Sequence, residues 1–364
     1  MGVMSAIISV LLFSAFAFAQ DPLAAAAKLN NQAQALAAQG RLPEAEEMYR
    51  LALAVKCDDL SHAKIANNLA WLYRRLDRYA DAETMLRRVL QWRQKSLPPS
   101  SVEIAYSLNN LADVYRIEGR DWEARNLLES AVRILHEFHP EAEGVPVILS
   151  NLAVALTKFH EYDQAEDLLS AALQLSEQQH GAMSREVGIA ANNLAQVLRA
   201  KKHLEDAAGL YARAVHIFED LGRDSAPDLA VALANTGQML EEQNESKQAR
   251  QVEQRALDLL STGGNAPLRA AILQNLGNIV VSSGNPSAAL PYFEKSLDIQ
   301  ERVFGAEHPA TVRILLDYAA ATLRAGQKSL AHKLRKRAEE LYARLQTVTP
   351  GQFTVSLNAL REEH

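Results

Sequence analysis

The tripeptide Asn68-Leu69-Ala70 decides the fold, because related versions of it return along the chain at nearly constant spacing. With Asn68 as an anchor, the same place recurs at Asn31, Asn110, Asn151, Asn193, Asn235, Asn275 and Asp317. Successive anchors lie 37, 42, 41, 42, 42, 40 and 42 residues apart. Self-similarity at such a period is typical of repeat architectures, here with eight units.

Small and apolar residues stand at fixed distances from each anchor. Two residues on is Ala or Gly, and fourteen residues on is Ala in every unit. Positions seventeen and twenty-four residues on are always apolar, and position twenty-one is small or Val. The last four positions step by three, four and three residues, so they share one face of a helix. Small residues on that face allow a second helix to approach closely.

A turn is predicted nine residues after each anchor. Six units carry a residue there that suits a left-handed helix end: Gly40, Asp77, Gly119, Asn244, Gly284 and Gly326. His160 and Lys202 are the exceptions. Pro and Gly then mark the loops between units, as in Leu97-Pro98-Pro99-Ser100. Each unit is therefore predicted to be helix A, a tight turn, helix B and a loop, which makes the chain all-α.

These positions resemble the tetratricopeptide repeat. Asn192-Asn193-Leu194-Ala195 and Gly305-Ala306-Glu307-His308-Pro309 look like its kinesin-light-chain subtype, whose units are longer than the usual length of about 34 residues. The resemblance covers residues 24–345. It implies a right-handed α-solenoid of eight helix-turn-helix repeats with a continuous core. Departures are local: Gln32 and Thr236 replace Leu after the anchor, and the last unit has Asp317-Tyr318.

Composition and motif content exclude several classes of protein. The chain has 364 residues, 48% of them hydrophobic, a formal net charge of −6 and one Cys. This excludes a mainly disordered chain and a disulfide framework, and it argues against a nucleic-acid binder. Ser61-His62-Ala63-Lys64 matches S-x-x-K, but its companion motifs are missing and Ser61 stands where a helix N-cap is expected. We therefore predict no enzyme, no catalytic residue, no cofactor and no metal site.

The two ends of the chain are predicted to lie outside the solenoid. Residues 1–19 contain a short apolar run and end in Ala17-Phe18-Ala19, the pattern of a secretory signal peptide. The protein is then exported, either periplasmic or secreted, without stable membrane insertion after signal removal. A retained N-terminal membrane anchor is the alternative. Residues 346–364 are interpreted as a C-terminal tail.

The resemblance implies that helix A lines the concave surface. Side chains facing it are expected at −4, −1, 0, +3, +6 and +7 from each anchor. In units two to five these 24 positions hold six basic residues and one acidic residue, which indicates a positive inner face. The predicted peptide-binding residues are Lys64, Asn67, Asn68, Trp71, Arg74, Arg75, Tyr106, Asn109, Asn110, Arg116, Asn151, Lys158, Asn192, Asn193, Gln196 and Arg199.

These residue types suit an extended and acidic protein segment. Asn donates and accepts, so it can hold a peptide backbone without reading its sequence. Arg and Lys select acidic groups, and Trp71 and Tyr106 are candidate apolar anchors. The other interpretation is that the Asn residues bridge neighbouring helices. At the level of function, the favoured prediction is an interaction scaffold for a protein or peptide. The alternative is an assembly protein that associates through its end repeats or convex face.

Overall fold

A computed structural model describes residues 21–260 and 265–348, and within them all regular structure is helical. Eight pairs of α-helices follow one another, with a short 3-10 helix at Gly222–Ser225. The A helices are α1 (Pro22–Ala38), α3 (Asp59–Arg75), α5 (Val102–Ile117), α7 (Val145–Thr157), α9 (Arg185–Ala200), α11 (Ala226–Glu242), α13 (Ala266–Ser282) and α15 (Pro309–Arg324). The B helices are α2 (Leu42–Ala54), α4 (Tyr79–Ser96), α6 (Asp121–Phe138), α8 (Tyr162–His180), α10 (Leu204–Leu221), α12 (Ser246–Leu259), α14 (Pro286–Phe304) and α16 (Lys328–Val348). The predicted solenoid of eight helix-turn-helix repeats is confirmed.

The small residues predicted to bring the helices together lie in the core. The Ala fourteen residues after each anchor is fully buried in the first seven repeats and almost so in the last. Where the residue two after the anchor is Gly, a large side chain takes the space. A Cβ atom at Gly277 would lie 2.7 Å from Cζ of Phe293, so the two helices could not keep this separation with a larger residue there.

All eight turns adopt the left-handed conformation, including the two whose residues were exceptions. Asp77 and Gly119 have φ of 56° and 74°, as their residue types predict. His160 and Lys202 have φ of 60° and 67°, although few residues other than glycine adopt this region. The close packing of helix A on helix B therefore imposes the turn geometry whatever residue occupies the position.

Two predicted boundaries differ from those in the structure. The N-cap of α3 is Asp58 and not Ser61, because the Ser61 N–H and hydroxyl both donate to the Asp58 carboxylate, at 2.9 and 2.7 Å. Helix α16 continues to Val348, past the predicted end of the solenoid at residue 345. The predicted signal peptide at 1–19 and residues 349–364 of the predicted tail lie outside the described residues.

Contacts between repeats show which helices lie on the inside of the curve. Each B helix packs against the A helices of its own and the following repeat, and A helices of successive repeats also touch one another. Successive B helices make no comparable contact within the described ranges. The A helices are therefore closer together and line the concave side. We call the A-helix side chains at the six facing positions the inner surface.

The two ends of the curve meet. The turns of repeats two and three, at residues 76–80 and 117–120, contact residues 299–309 of repeats seven and eight. His308 Nε2 lies 3.2 Å from the Ile117 carbonyl oxygen, and the rings of Tyr79 and Phe304 stack at 5.2 Å between centroids. We call this contact the clasp. It joins repeats two and three to repeats seven and eight, so the inner surfaces of the repeats between them face a common central space, which we call the lumen.

None of the helices in the described part of the chain combines the length and the apolar character needed to span a bilayer.

Candidate functional site

The predicted peptide-binding residues lie on the A helices but differ in accessibility. Lys64, Trp71, Arg75 and Lys158 are exposed, with Trp71 keeping 49% of its surface. Asn192 is buried, and the remaining predicted residues are half-buried. The most accessible candidates are therefore three cations and one indole ring.

The asparagines form a ladder from one A helix to the next. Asn68 Nδ2 donates to Asn30 Oδ1 at 2.9 Å, and Asn110 Nδ2 donates to Asn67 Oδ1 at 3.0 Å. Asn151 repeats the contact with Asn109 at 2.7 Å. In each case the anchor Asn of one repeat donates to the residue just before the anchor in the preceding repeat. Bridging of neighbouring helices, the second interpretation of these residues, is thus an observed role.

The ladder continues towards the C-terminus with substitutions. Asn235 Nδ2 donates to Asn192 Oδ1 at 3.0 Å, and Gln274 donates to Asp317 in the last repeat. Asn192 also donates to Asn193 within its own repeat, at 3.3 Å. Each amide in such a pair keeps a lone pair or a second N–H that these bonds do not use. A ligand can therefore share the half-buried amides but cannot replace their helix-bridging bonds without loss.

Three of the six predicted cations are neutralised by carboxylates of the same surface. Arg74 and Arg116 both pair with Asp113, the latter at 2.8 Å. Burial opposes ionisation of Asp113, but the two guanidinium groups outweigh it and hold its pKa below the ordinary value. Arg199 pairs with Glu242 of the next repeat at 2.6 Å. The inner surface therefore carries less net positive charge than the residue count in units two to five predicts. That count leaves out Glu242, because Glu242 lies in unit six.

Arg75 and Trp71 form one accessible patch. The Arg75 guanidinium carbon lies 4.8 Å from the centre of the Trp71 ring, and one of its nitrogens donates to the Ala37 carbonyl at 3.4 Å. This cation–π arrangement fixes a flat apolar face beside a positive charge.

Lys158 has the least favourable electrostatic environment on the inner surface. Its ammonium reaches solvent in the lumen, but surrounding protein removes part of its hydration. Burial lowers the pKa of Lys158, and repulsion from Arg313 and Arg116 lowers it further, while Asp121 opposes the change. Burial raises the pKa of Asp121, although Lys158 and Arg116 oppose that change. Lys158 therefore has one carboxylate and two guanidinium groups as charged neighbours, and burial is the largest cause of its lowered pKa.

Tyr106 does not lie free in the groove. Its hydroxyl accepts a hydrogen bond from the Gly144 N–H at 3.3 Å, and a Cβ atom at Gly144 would lie 2.4 Å from Cε1 of its ring. Tyr106 therefore fixes the loop that leads into repeat four, and its ring is half-buried.

Arg313 is the inner-surface residue that the sequence analysis missed. It belongs to repeat eight, outside the four repeats that were read for facing residues, and the clasp brings it near Lys158 of repeat four. No local pattern signals this proximity. Arg313 lies four residues before the anchor Asp317, which is one of the six positions expected to face the concave surface.

No group of three or more His, Cys, Asp or Glu side chains within residues 21–260 and 265–348 is arranged to hold a metal ion. The inner surface offers hydrogen bonding, charge and exposed apolar side chains, namely Trp71, Val147 and Leu323.

Two solved structures share the fold of this chain, and two more align with it less well. A Rap protein complexed with Competence and Sporulation Factor aligns with a TM-score of 0.62 at 14% identity, over 83% of this chain and 80% of that one. The apo form of RapI aligns with a TM-score of 0.59 at 14% identity, over 76% and 98%. BtubC (BKLC) from P. vanneervenii aligns with a TM-score of 0.46 at 21% identity, over 66% and 90%. A putative kinesin light chain with tetratricopeptide-like repeats from Podosopora anserina gives 0.47 at 17% identity, over 57% and 99%.

The family assignment comes from sequence. No curated protein matches the chain. The sequence profile of the tetratricopeptide repeat matches residues 24–91, 61–137, 144–220 and 268–344, which together are well over half of the chain. With this match over most of its length, the chain belongs to the tetratricopeptide repeat family.

Proposed function

We propose that this chain is a scaffold that binds an extended, acidic segment of a partner protein along its inner surface. The repeat fold is typically a non-enzymatic protein-interaction scaffold. Trp71 with Arg75 supplies an apolar and cationic contact in repeat two, and Lys158 supplies a second cationic contact in repeat four. The half-buried asparagines between them supply hydrogen bonds to a peptide backbone.

The observation that carries the proposal is the environment of Lys158. Among the described residues, its ammonium has neither a salt bridge nor a side-chain hydrogen bond. Asp121 attracts it, while the guanidinium groups of Arg313 and Arg116 repel it. A carboxylate of a bound segment would attract the ammonium. This attraction would offset the repulsion from the arginines and replace the lost hydration. An acidic ligand is therefore stabilised at this point more than a neutral one of the same shape.

The test is binding of a fluorescent Glu-rich peptide, measured by anisotropy beside the matched Gln-rich peptide. Lys158→Glu should weaken binding of the Glu-rich peptide by about tenfold or more, because it converts attraction into repulsion inside the lumen. Lys247→Glu is the control with the same change of charge, since Lys247 is exposed on the B helix α12 and not on the inner surface. Affinity for the Glu-rich peptide should also fall as salt is raised.

Two results would contradict the proposal. Equal affinity for the Glu-rich and Gln-rich peptides would show that the chain does not prefer acidic ligands. Self-association that depends on concentration and ignores Lys158→Glu would favour the assembly alternative through the end repeats or convex face. Sizing of the chain without ligand distinguishes these outcomes.

Export is a separate part of the proposal and rests on residues 1–19, which lie outside the described residues. The expected result is a mature chain that begins at Gln20, after Ala19, in the exported fraction. A retained N-terminus in the membrane fraction would support the anchor alternative. N-terminal sequencing of the fractionated protein measures this directly.

A further inference from the structure

The clasp is built around His308 and two stacked aromatic rings. The His308 imidazole stacks on Phe304 with 4.3 Å between centroids, and Phe304 stacks on Tyr79 across the junction. Pro309 packs against the turn of repeat three, where a Cβ atom at Gly119 would lie 3.2 Å from its Cγ. The clasp therefore depends on close contact between two small surfaces, with His308 between them.

A second set of contacts extends the clasp at repeat two. The Tyr79 hydroxyl donates to Asp77 Oδ1 at 2.8 Å. Asp77 Oδ2 in turn accepts from the Ala266 N–H of repeat seven at 3.3 Å. The turn of repeat two thus holds the start of α13 as well as the end of α14.

The hydrogen bonds of His308 require a neutral ring with its proton on Nε2. Nδ1 accepts from the Ala310 N–H at 3.2 Å as the N-cap of α15. Nδ1 also lies 2.9 Å from the Gln300 side-chain amide nitrogen, which is a donor. Nε2 faces the Ile117 carbonyl oxygen, which can only accept. A proton on Nδ1 would face the Ala310 N–H, so the charged ring cannot keep the N-cap.

The surroundings of His308 do not stabilise a positive charge. Burial lowers the pKa of His308 to about 4, and hydrogen bonds to the backbone at Ile117 and Glu118 only partly oppose this. The charged and titratable side chains lining the same cleft are Tyr79, Glu118, Arg120, Glu123, Glu307 and Arg344. Arg120 pairs with Glu118 at 3.2 Å and with Glu123 at 2.7 Å, and Arg344 pairs with Glu307 at 3.2 Å. The carboxylates of the cleft are thus already engaged by arginines.

We propose that the clasp is a pH-sensitive closure of the lumen, held shut by neutral His308 and released when His308 is protonated. Protonation breaks the cap of α15 and places a buried charge between Phe304 and the turn of repeat three. Separation of the clasp restores water to the imidazolium and frees one side of the inner surface. The closure stands on its own contacts and does not depend on which ligand the lumen takes.

The direction of the pH dependence follows from the two pKa values of His308. The ring resists protonation in the clasped form and titrates near its ordinary value of about 6.5 once the clasp is open. The clasped form is therefore fully favoured above about pH 6.5 and loses stability as the pH falls towards about 4. Between about pH 7.5 and 4.5 the closing equilibrium constant should fall roughly 70-fold.

The experiment measures the distance between repeats two and seven in the full chain by pulsed electron paramagnetic resonance. Spin labels are placed at the exposed residues Thr84 and Lys295 in a Cys57→Ser background. At about pH 7.5 the distance distribution should be narrow, and at about pH 4.5 a longer and broader population should appear. Circular dichroism at both pH values checks that the helices remain folded.

Two variants distinguish the effect of protonating His308 from the effect of protonating nearby carboxylates in acid. His308→Gln keeps a neutral donor towards Ile117, so the acid-induced opening should disappear. His308→Arg carries a permanent charge, so the open population should be present at about pH 7.5. An unchanged distance in the wild type at acid pH would overturn the proposal. The same acid response in His308→Gln as in the wild type would overturn it as well.

Discussion

Lys202 adopts a backbone conformation that its own side chain disfavours. Its φ of 67° lies in the left-handed region, where a Cβ atom costs about 1 kcal/mol. His160 shares this feature with φ of 60°. Both positions correspond to the glycines of other turns, so the cost is imposed by the helix pair that the turn connects.

We expect Lys202→Gly to raise the free energy of unfolding by about 0.5–1 kcal/mol, because glycine adopts positive φ without steric penalty. Lys202→Ala is the control, since it removes the exposed ion pair with Glu242 and keeps the Cβ atom. Denaturant unfolding of both variants measures the difference. Equal stability of the Gly and Ala variants would contradict the interpretation.

Glu253 is an acidic side chain in the core of repeat six. It occupies the position eighteen residues after the anchor, where Leu169 and Tyr211 fill the core of repeats four and five. It is fully buried, accepts one hydrogen bond from Asn275 at 2.8 Å, and leaves Oε2 without a partner. Burial raises the pKa of Glu253 to about 8, with the Asn275 hydrogen bond opposing the change.

This pKa predicts that Glu253 destabilises the fold as pH rises. Its folded pKa lies above the ordinary value, so the neutral form is favoured in the fold, and stability is lost as pH rises from about 4.5 through 8. Glu253→Gln should remove that loss, which amounts to about 3 kcal/mol at about pH 7. Unfolding curves from about pH 5 to 8 test this, with the exposed Glu137→Gln as control. A parallel pH dependence in wild type and Glu253→Gln would refute the assignment.

At the level of helices, the asparagine ladder aligns one A helix with the next. The hydrogen bonds from anchor residues to the preceding repeat join neighbouring A helices, so they help to fix how far and at what angle successive repeats rotate. A groove residue can therefore affect binding through the shape of the solenoid without touching the ligand.

Asn109→Ala should lower the free energy of unfolding by about 1–2 kcal/mol, because it leaves the half-buried Asn151 amide without its acceptor. The control is Asn126→Ala on α6, where the side chain is exposed and the change should be neutral or slightly stabilising. Thermal or denaturant unfolding reads out both. A neutral Asn109→Ala would show that the ladder bond contributes nothing to stability.

Ala165→Arg tests the close packing between α7 and α8. Ala165 is fully buried, and the arginine would overfill the contact and bury a charge, so we expect a loss of at least about 3 kcal/mol. Gln164→Arg on the exposed side of the same helix is the control. A chain that keeps its unfolding midpoint with Arg at 165 would contradict the packing described for this position.

For the whole molecule, the clasp turns a row of repeats into a closed curve. The ring of Phe304 makes two of the stacking contacts in the clasp. One is with His308 in the loop after repeat seven, and the other is with Tyr79 of repeat two. Removal of this ring should open the curve without unfolding any repeat, because each repeat is stabilised mainly by its neighbours.

Phe304→Ala should therefore raise the radius of gyration in small-angle X-ray scattering while circular dichroism stays constant. Phe138→Ala is the matched control, since Phe138 lies at the exposed end of α6 and takes no part in the clasp. An unchanged scattering curve for Phe304→Ala would show that the repeat interfaces alone keep the ends together.

The sequence predicted the interactions that recur in every repeat. The alanines of helix B, the small residue after each anchor and six of the turn residues were identified because packing of one helix pair depends on residues within about 25 positions of each other. The predicted basic inner surface was only partly predictable, because the partners of Arg74 and Arg199 are carboxylates of the following repeat.

The amino-acid sequence by itself determined the all-helical repeats, the positions of their turns and the faces on which they pack. Those features follow from periodicity, and periodicity is a local property of the chain. Only the tertiary structure decided that Tyr106 is held by Gly144, that Lys158 has Arg313 as a neighbour and that His308 reaches Ile117. The last two contacts depend on small rotations that accumulate over several repeats, and no single repeat encodes their sum.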